Sequence, residues 1–270
     1  MGYYEVKQVE PWLYSIYDPL SVFCYLCVGD ARALLYDTAY GIAPLGEVVQ
    51  SITDKPYDVV LSHGHIDHVN GAYQFGEMWL HEGDFDLYGE HSSKTRRKGV
   101  LERAEKGQKL PEGFDSYAYV NGVVGKINKL PLGEVFDLGN LHLEVVGMEG
   151  HTSGSVGLLT RQHRVLLNSD AANSHCWMYL DESLPVNRYV TMLERTMQHE
   201  FDTFYVGHSN TPYPKSMFEK FISVAKNASI EKSQPYEAIP GLKGFFYSEG
   251  DVGIVVSEKT LGLIDRSVGV

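Results

Sequence analysis

Ser62 to His68, SHGHIDH, places three histidines and an aspartate within six residues, directly after the apolar run Val59–Leu61. Imidazole and carboxylate without thiolate suit Zn²⁺, Fe or Mn²⁺, and the chemistry such ions support is activation of water for hydrolysis. On extended backbone, residues i and i+2 point the same way, so His63 and His65 can address one ion. Gly64 lets the chain bend tightly, and Asp67 and His68 beyond it can address a second point close by.

Three later places offer further ligands. GMEGHTSGSVG carries His151, RVLLNSD ends on Asp170, and TFYVGHSN carries His208. Each follows a short apolar run that reads as a strand, and carboxyl ends of strands are where loops of α/β sheets converge. His63, His65 and His151 would then hold one metal and Asp67, His68 and His208 a second, with Asp170 bridging them. Two ions about 3.5–4 Å apart can share a water, lower its pKa and polarise a carbonyl or phosphoryl oxygen. The expected cofactors are two divalent metal ions, Zn ahead of Fe or Mn.

The elements that would position these loops follow from periodicity. LYSIYD, SVFCYLCV and ARALLYD read as strands, GIAPLGEVVQSI as a helix through Leu45, Val48, Val49 and Ile52, and YDVVLSHGH as a buried strand. Residues from about Gly83 to Lys129 are polar and helix-compatible, an insertion that could cover the site. Strands resume at LHLEVVG, SVGLLTR and RVLLNSD. A helix follows with Val186, Tyr189, Val190, Leu193 and Met197 on one face, then the TFYV strand, a helix at KSMFEKFISVAKN, and a hairpin at GFFYSEGDVGIVV. The order fits two mixed β-sheets with helices packed outside, in a single domain spanning 1–270.

Composition limits the partners. A formal net charge of −12 repels phosphate backbones and anionic membranes, so neither nucleic acid nor a membrane is expected. The first residues lack the apolar core of a signal peptide, and the expected compartment is the cytoplasm. The expected partner is a small-molecule substrate, with a homodimer left open. Cys24 and Cys27 form a CxxC on a strand, where residues three apart face opposite ways, so packing rather than shared metal ligation is expected.

The set HxHxDH, GHTxGS, an aspartate after a strand and then GH resembles the metallo-β-lactamase superfamily, over about Leu35 to Asn210. The resemblance implies a four-layer αβ/βα sandwich with the metals at one edge between the sheets. It further implies a metal-bridging hydroxide as nucleophile, Asp67 as proton shuttle to the leaving group, and Asp37 as the early aspartate orienting the ligand loop. A bridging aspartate at Asp170 is similar to glyoxalase II, acyl-homoserine lactonases and the phosphodiesterase and nuclease branches rather than to the best-known zinc β-lactamases. The lactonases have tyrosine where this chain has Asn173, and flavodiiron proteins have glutamate where it has His65. The expected activity is therefore a dinuclear metal-dependent hydrolase cleaving an ester, lactone, thioester or amide. A phosphodiesterase or nuclease, with KTRRK (Lys94 to Lys98) on phosphate, and an iron-dependent redox enzyme are the alternatives. His175, Trp177 and Tyr179, in the loop leaving Asp170, either contact substrate or pack beneath the insertion. Of the remaining histidines, His81 is the one expected near the pocket.

Overall fold

A computed structural model describes residues 2–263. Seven strands come from the first half: β1 (Glu5–Glu10), β2 (Leu13–Asp18), β3 (Val22–Val28), β4 (Ala33–Tyr36), β5 (Tyr57–Val60), β6 (Glu77–Leu80) and β7 (Lys126–Lys129). Among them lie α1 (Leu45–Ile52), the single-turn α2 (Ile66–Val69), α3 (Phe85–His91), α4 (Lys94–Lys106) and α5 (Ser116–Asn121). The second half contributes β8 (Val135–Asp137), β9 (His142–Gly147), β10 (Val156–Thr160), β11 (Val165–Ser169) and β12 (His175–Met178). It continues with α6 (Val186–Thr196), β13 (Thr203–Val206), β14 (Ser209–Pro214), α7 (Met217–Asn227), β15 (Gln234–Ile239), β16 (Leu242–Glu249) and β17 (Val252–Val256).

The first sheet has the order β1-β2-β3-β4-β5-β6-β7, an antiparallel meander that turns parallel from β4 onward. The second has the order β14-β13-β11-β10-β9-β8, with β11 and β13 parallel across α6. Strand alternation supplies the core between them. Leu34, Tyr36 and Val60 from one sheet meet Val145, Leu158 and Leu167 from the other, while Leu35 and Val59 turn outward under α1, α4 and α5. Cys24 and Cys27 divide the same way, one in the outer cluster and one between the sheets, and both are free thiols. On the outer face of the second sheet, α6 buries Tyr189, Val190 and Leu193 against Leu159 and Leu166. The molecule is thus an α/β sandwich of mixed sheets with helices outside.

Two expectations need adjusting. The segment from Gly83 is helical through α5, but residues 126–129 form β7, which pairs parallel with β6 and extends the first sheet. The hairpin expected near the end forms as β16 and β17, yet it does not stand alone. With β15 and β12 it makes a third sheet of order β12-β17-β16-β15, in which β12 and β17 run parallel. That sheet buries Cys176, Met178, Ile254 and Val256 against α6 and α7.

Candidate metal centre

The central parallel strand β5 delivers the histidine loop. Its flank is fixed by Val156 N–H donating to Ser62 O (2.9 Å), which ties the first sheet to the second at the edge where the ligands emerge. His63, His65 and His151 form one group of potential ligands, and Asp67, His68, Asp170 and His208 another. Within each group one ligand atom per residue lies within 4.8 Å of all the others. The groups adjoin, since the rings of His63 and His68 are 4.3 Å apart. All the expected ligands are therefore brought together, in the two sets the sequence suggested. Asp170 sits with the second set, where its Oδ2 is 3.0 Å from His208 Nε2 and 3.4 Å from His68 Nε2.

Each imidazole is held from behind. Ser62 Oγ lies 2.8 Å from His63 Nδ1, Glu182 Oε1 is 2.5 Å from His65 Nε2, and Trp177 O is 2.7 Å from His151 Nδ1. In the second group, Asp37 Oδ2 meets His68 Nδ1 at 2.9 Å and Ser21 O meets His208 Nδ1 at 2.7 Å. Such contacts fix ring orientation and tautomer, leaving the other nitrogen to face a shared point. Asp37, at a left-handed φ of 70°, also accepts from Ser62 N and Oγ and from Ser169 Oγ.

The donor set fits a cation. His151 Nε2, His68 Nε2 and Asp170 Oδ1 are buried without a hydrogen-bond partner among the described residues, a cost of about 1–3 kcal/mol each unless something accepts their lone pairs. Gly207 leaves the room they need, for a Cβ there would fall 2.5 Å from Asp170 Oδ1 and 2.8 Å from His68 Cε1. Burial, together with His68, His65 and His151, pushes His63 well below its ordinary value, and burial with His65 brings His151 down to about 4. Both rings are neutral near pH 7 and can donate a lone pair. The second group is instead internally compensated. Burial opposes charge on His68, but Asp67, Asp170 and Asp37 lift it well above the usual range, and Asp170 foremost raises His208 to about 9. Burial would likewise raise Asp67 and Asp170, yet His68 and His208 hold both carboxyls low.

Other expectations fare differently. His81 caps the turn at Gly83 N (3.2 Å) and stays outside both groups. The place beside the ligands expected of His81 is taken by His91, which carries no such expectation: it stacks 5.2 Å from the His65 ring and accepts from Ile66 N, because α3 folds back over the loop. In the KTRRK run Arg96 pairs with Glu90, and Arg97 is buried against Asn70, Tyr119 O and Gly122 O, so the run serves the packing of α4. His175, Trp177 and Tyr179 all point to one face of β12, away from Cys176 and Met178. Cys176 is buried, which pushes its thiol up to about 12.

Two carboxylates escaped sequence reasoning. Glu182 belongs to the loop leaving Asp170, but no periodic pattern marks it. Burial would raise its carboxyl; the contact with His65 overrides that and holds it at about 2. Asp84, fully buried, accepts from Gly64 N (2.7 Å), Thr152 Oγ1 (2.6 Å) and Gly154 N (2.6 Å). It clamps the loop of His63 and His65 to the loop of His151. A lone aspartate after a strand carries no signal of that reach.

Residues 17–211 match the family model of the metallo-beta-lactamase superfamily. The chain is similar to the acyl-coenzyme A thioesterase MBLAC2 of Bos taurus, 25% identical over 76% of this chain and 79% of the relative. To the Gallus gallus protein of the same name it is 24% identical over 64% of this chain, and it spans 66% of that relative, just under two thirds. Among solved structures, a metallo-β-lactamase from Erythrobacter litoralis superposes with a TM-score of 0.59 at 15% identity, covering 84% of this chain and 98% of that one. That similarity is one of fold.

Proposed function

The chain belongs to the metallo-β-lactamase superfamily, and on that premise we propose that it is a metal-dependent hydrolase of carboxylic esters, with a thioester as the leading substrate class. Residues 1–270 are taken as one metallo-hydrolase domain, with the helices α3 to α5 beside its active site. The observation that carries the reading is the convergence of three and four potential ligands in two adjoining sets, at the edge where the sheets meet. The thioester is supported by the similar vertebrate proteins being named acyl-coenzyme A thioesterases.

Two divalent ions, Zn ahead of Fe or Mn, would supply a nucleophilic water of lowered pKa and polarisation of the scissile carbonyl. His63, His65 and His151 would hold one, Asp67, His68 and His208 the other, with Asp170 between them. The protein's own part is orientation and proton handling. Glu182, Trp177 O, Asp37 and Ser21 O keep the rings turned inward. Asp67, whose side chain is 19% exposed, stands at the open side of the second group with its Oδ2 3.6 Å from His208 Nε2. Held ionised by the imidazoles, it can take a proton and pass it to the departing thiolate or alkoxide.

Elemental analysis of protein purified without added metal, beside a panel of p-nitrophenyl esters, acyl thioesters, lactones and bis-p-nitrophenyl phosphate, tests this. Zinc with turnover of esters or thioesters is expected. Iron with dioxygen consumption and no hydrolysis would overturn the reading, and preferential diester cleavage would move the chain to the phosphodiesterase branch. Asp67→Asn should lower kcat by about 100-fold or more; a variant equal to wild type would remove Asp67 from proton transfer.

A further inference from the structure

The third sheet carries an ordered row of rings that the hydrolytic chemistry does not use. Its edge strand β12 turns Cys176 and Met178 into the core and sends His175, Trp177 and Tyr179 to the other face. There they meet Tyr236 of β15 and Phe246 of β16. His175 stacks on Phe246 at 4.8 Å, and Tyr236 lies 5.5 Å from His175, 5.8 Å from Tyr179 and 6.2 Å from Trp177. Two glycines let rings settle against the strands: a Cβ at Gly244 would fall 2.6 Å from the Tyr179 ring, and one at Gly253 2.3 Å from the Phe246 ring. Trp177, Tyr236 and Phe246 remain half-buried, so the row forms an apolar shelf with accessible ring surface.

The shelf adjoins the metal centre through its own backbone. The carbonyl of Trp177 itself holds His151, and the same chain, three residues past Tyr179, places Glu182 on His65. Tyr179 is only 4% exposed and forms the floor on which Trp177, Tyr236 and Phe246 pack. Apolar ring surface beside a candidate carbonyl-activating centre suits the apolar arm of an acyl ester.

We propose that this shelf seats the acyl portion of the substrate, making the enzyme selective for esters or thioesters of medium and long alkyl chains. The proposal rests on the hydrolase reading for its choice of occupant. It adds a specificity subsite to which Tyr236 of β15 and Phe246 of β16 contribute from beyond the residues that match the family model. The acyl chain would run from the metals over Trp177 and Tyr179 toward Tyr236 and Phe246.

Two measurements decide it. Calorimetric titration of the metal-loaded protein with dodecanoate reads binding without turnover, and the ratio of kcat/KM for dodecanoyl-coenzyme A to that for acetyl-coenzyme A reads selectivity. Trp177→Ala and Phe246→Ala should each weaken dodecanoate binding, and lower the ratio, by about tenfold, the loss expected from removing contact with one or two methylenes per ring. Tyr236→Ala, on the exposed edge strand, guards against misfolding and should act in the same direction. Saturable dodecanoate binding lost in the variants, without hydrolysis of any ester, would keep the shelf and overturn the hydrolase reading. Ester turnover indifferent to chain length, with no dodecanoate binding, would overturn the shelf and keep the hydrolase. Variants that dissociate a dimer in sedimentation while binding dodecanoate like wild type would reassign the rings to a contact between copies of the chain and overturn the proposal.

Discussion

The two ligand groups are neighbours, yet they are built on opposite electrostatic plans. His63, His65 and His151 are all buried, and the first and last are kept neutral by desolvation and by one another. Asp67, His68, Asp170 and His208 form a charged quartet in which acids and imidazoles compensate each other, and the His208 side chain is 42% exposed. In the dry group, His63 and His151 can accept a cation without first losing protons. In the wet group a cation must displace protons from His68 and His208, so its occupancy depends more strongly on pH. Of the seven potential ligands, only His208 is exposed.

Several substitutions would break or sharpen that contrast. Asp84→Ala should do the most damage, since Asp84 clamps both loops of the dry group. It leaves Gly64 N and Gly154 N unpaired and Thr152 Oγ1 with Ser155 Oγ alone, at a cost of about 3 kcal/mol or more in unfolding free energy, with metal lost from the three-histidine site first. Denaturant titration with metal counting would show it; a variant with wild-type stability would mean that the clamp is dispensable. Asp37→Asn should act chiefly on the wet group, weakening its metal affinity by about 10–100-fold through His68, which it touches directly, and less on His63, which it reaches only through Ser62. Competition with a chelator resolves the two sites, and equal weakening of both would erase the asymmetry. Glu182→Gln is the mirror experiment on the dry group. The Glu182 side chain is 26% exposed, so the loss should sit at the lower end, about tenfold, at the His65 site only.

The smallest effect is expected at Asp18, which is buried beneath the turn carrying Ser21. Burial raises its carboxyl above the ordinary value, although Leu20 N and Tyr3 Oη donate to it. A raised folded-state pKa means that the folded chain keeps a proton which the unfolded chain has released. Stability is therefore full below the unfolded value and declines as pH rises through the folded one. Asp18→Asn removes that decline. Its stability relative to wild type should improve by up to about 1 kcal/mol from acid to neutral pH, with both metal sites unaltered. Urea midpoints at a series of pH values would check it, and parallel curves for the two proteins would refute it.

The ligands were legible because their chemistry is local. SHGHIDH, GHTSGS and the residues after RVLLNS and TFYVG each join a strand signal to a metal-binding side chain, and the sheet edge brings them together. The orientation of Cys24 and Cys27 was legible for a similar reason, since strand alternation alone decides it. Asp84, Glu182 and His91 were not, because nothing near them in sequence tells which loop they will meet. His81 misled by its closeness to β6, while the fold of α3 carries His91 over His65 instead. The third sheet was half legible. Its hairpin declares itself through turn residues, but β12 pairs with β17 across a long stretch of intervening chain, and parallel pairing leaves no local mark.

That pairing bears on how the protein is made. The Trp177 carbonyl that turns His151 inward belongs to β12, and among the described residues β12 finds its only strand neighbour in β17, at Val252–Val256. A growing chain therefore completes SHGHIDH, Asp170 and His208 well before it can anchor the strand that disciplines His151. Contacts between distant segments form late, so the three-histidine group should be the last part of the centre to mature. Chains arrested on the ribosome before Val252 should hold metal loosely there, and those arrested beyond the tunnel-clearing point for Val256 should hold it firmly.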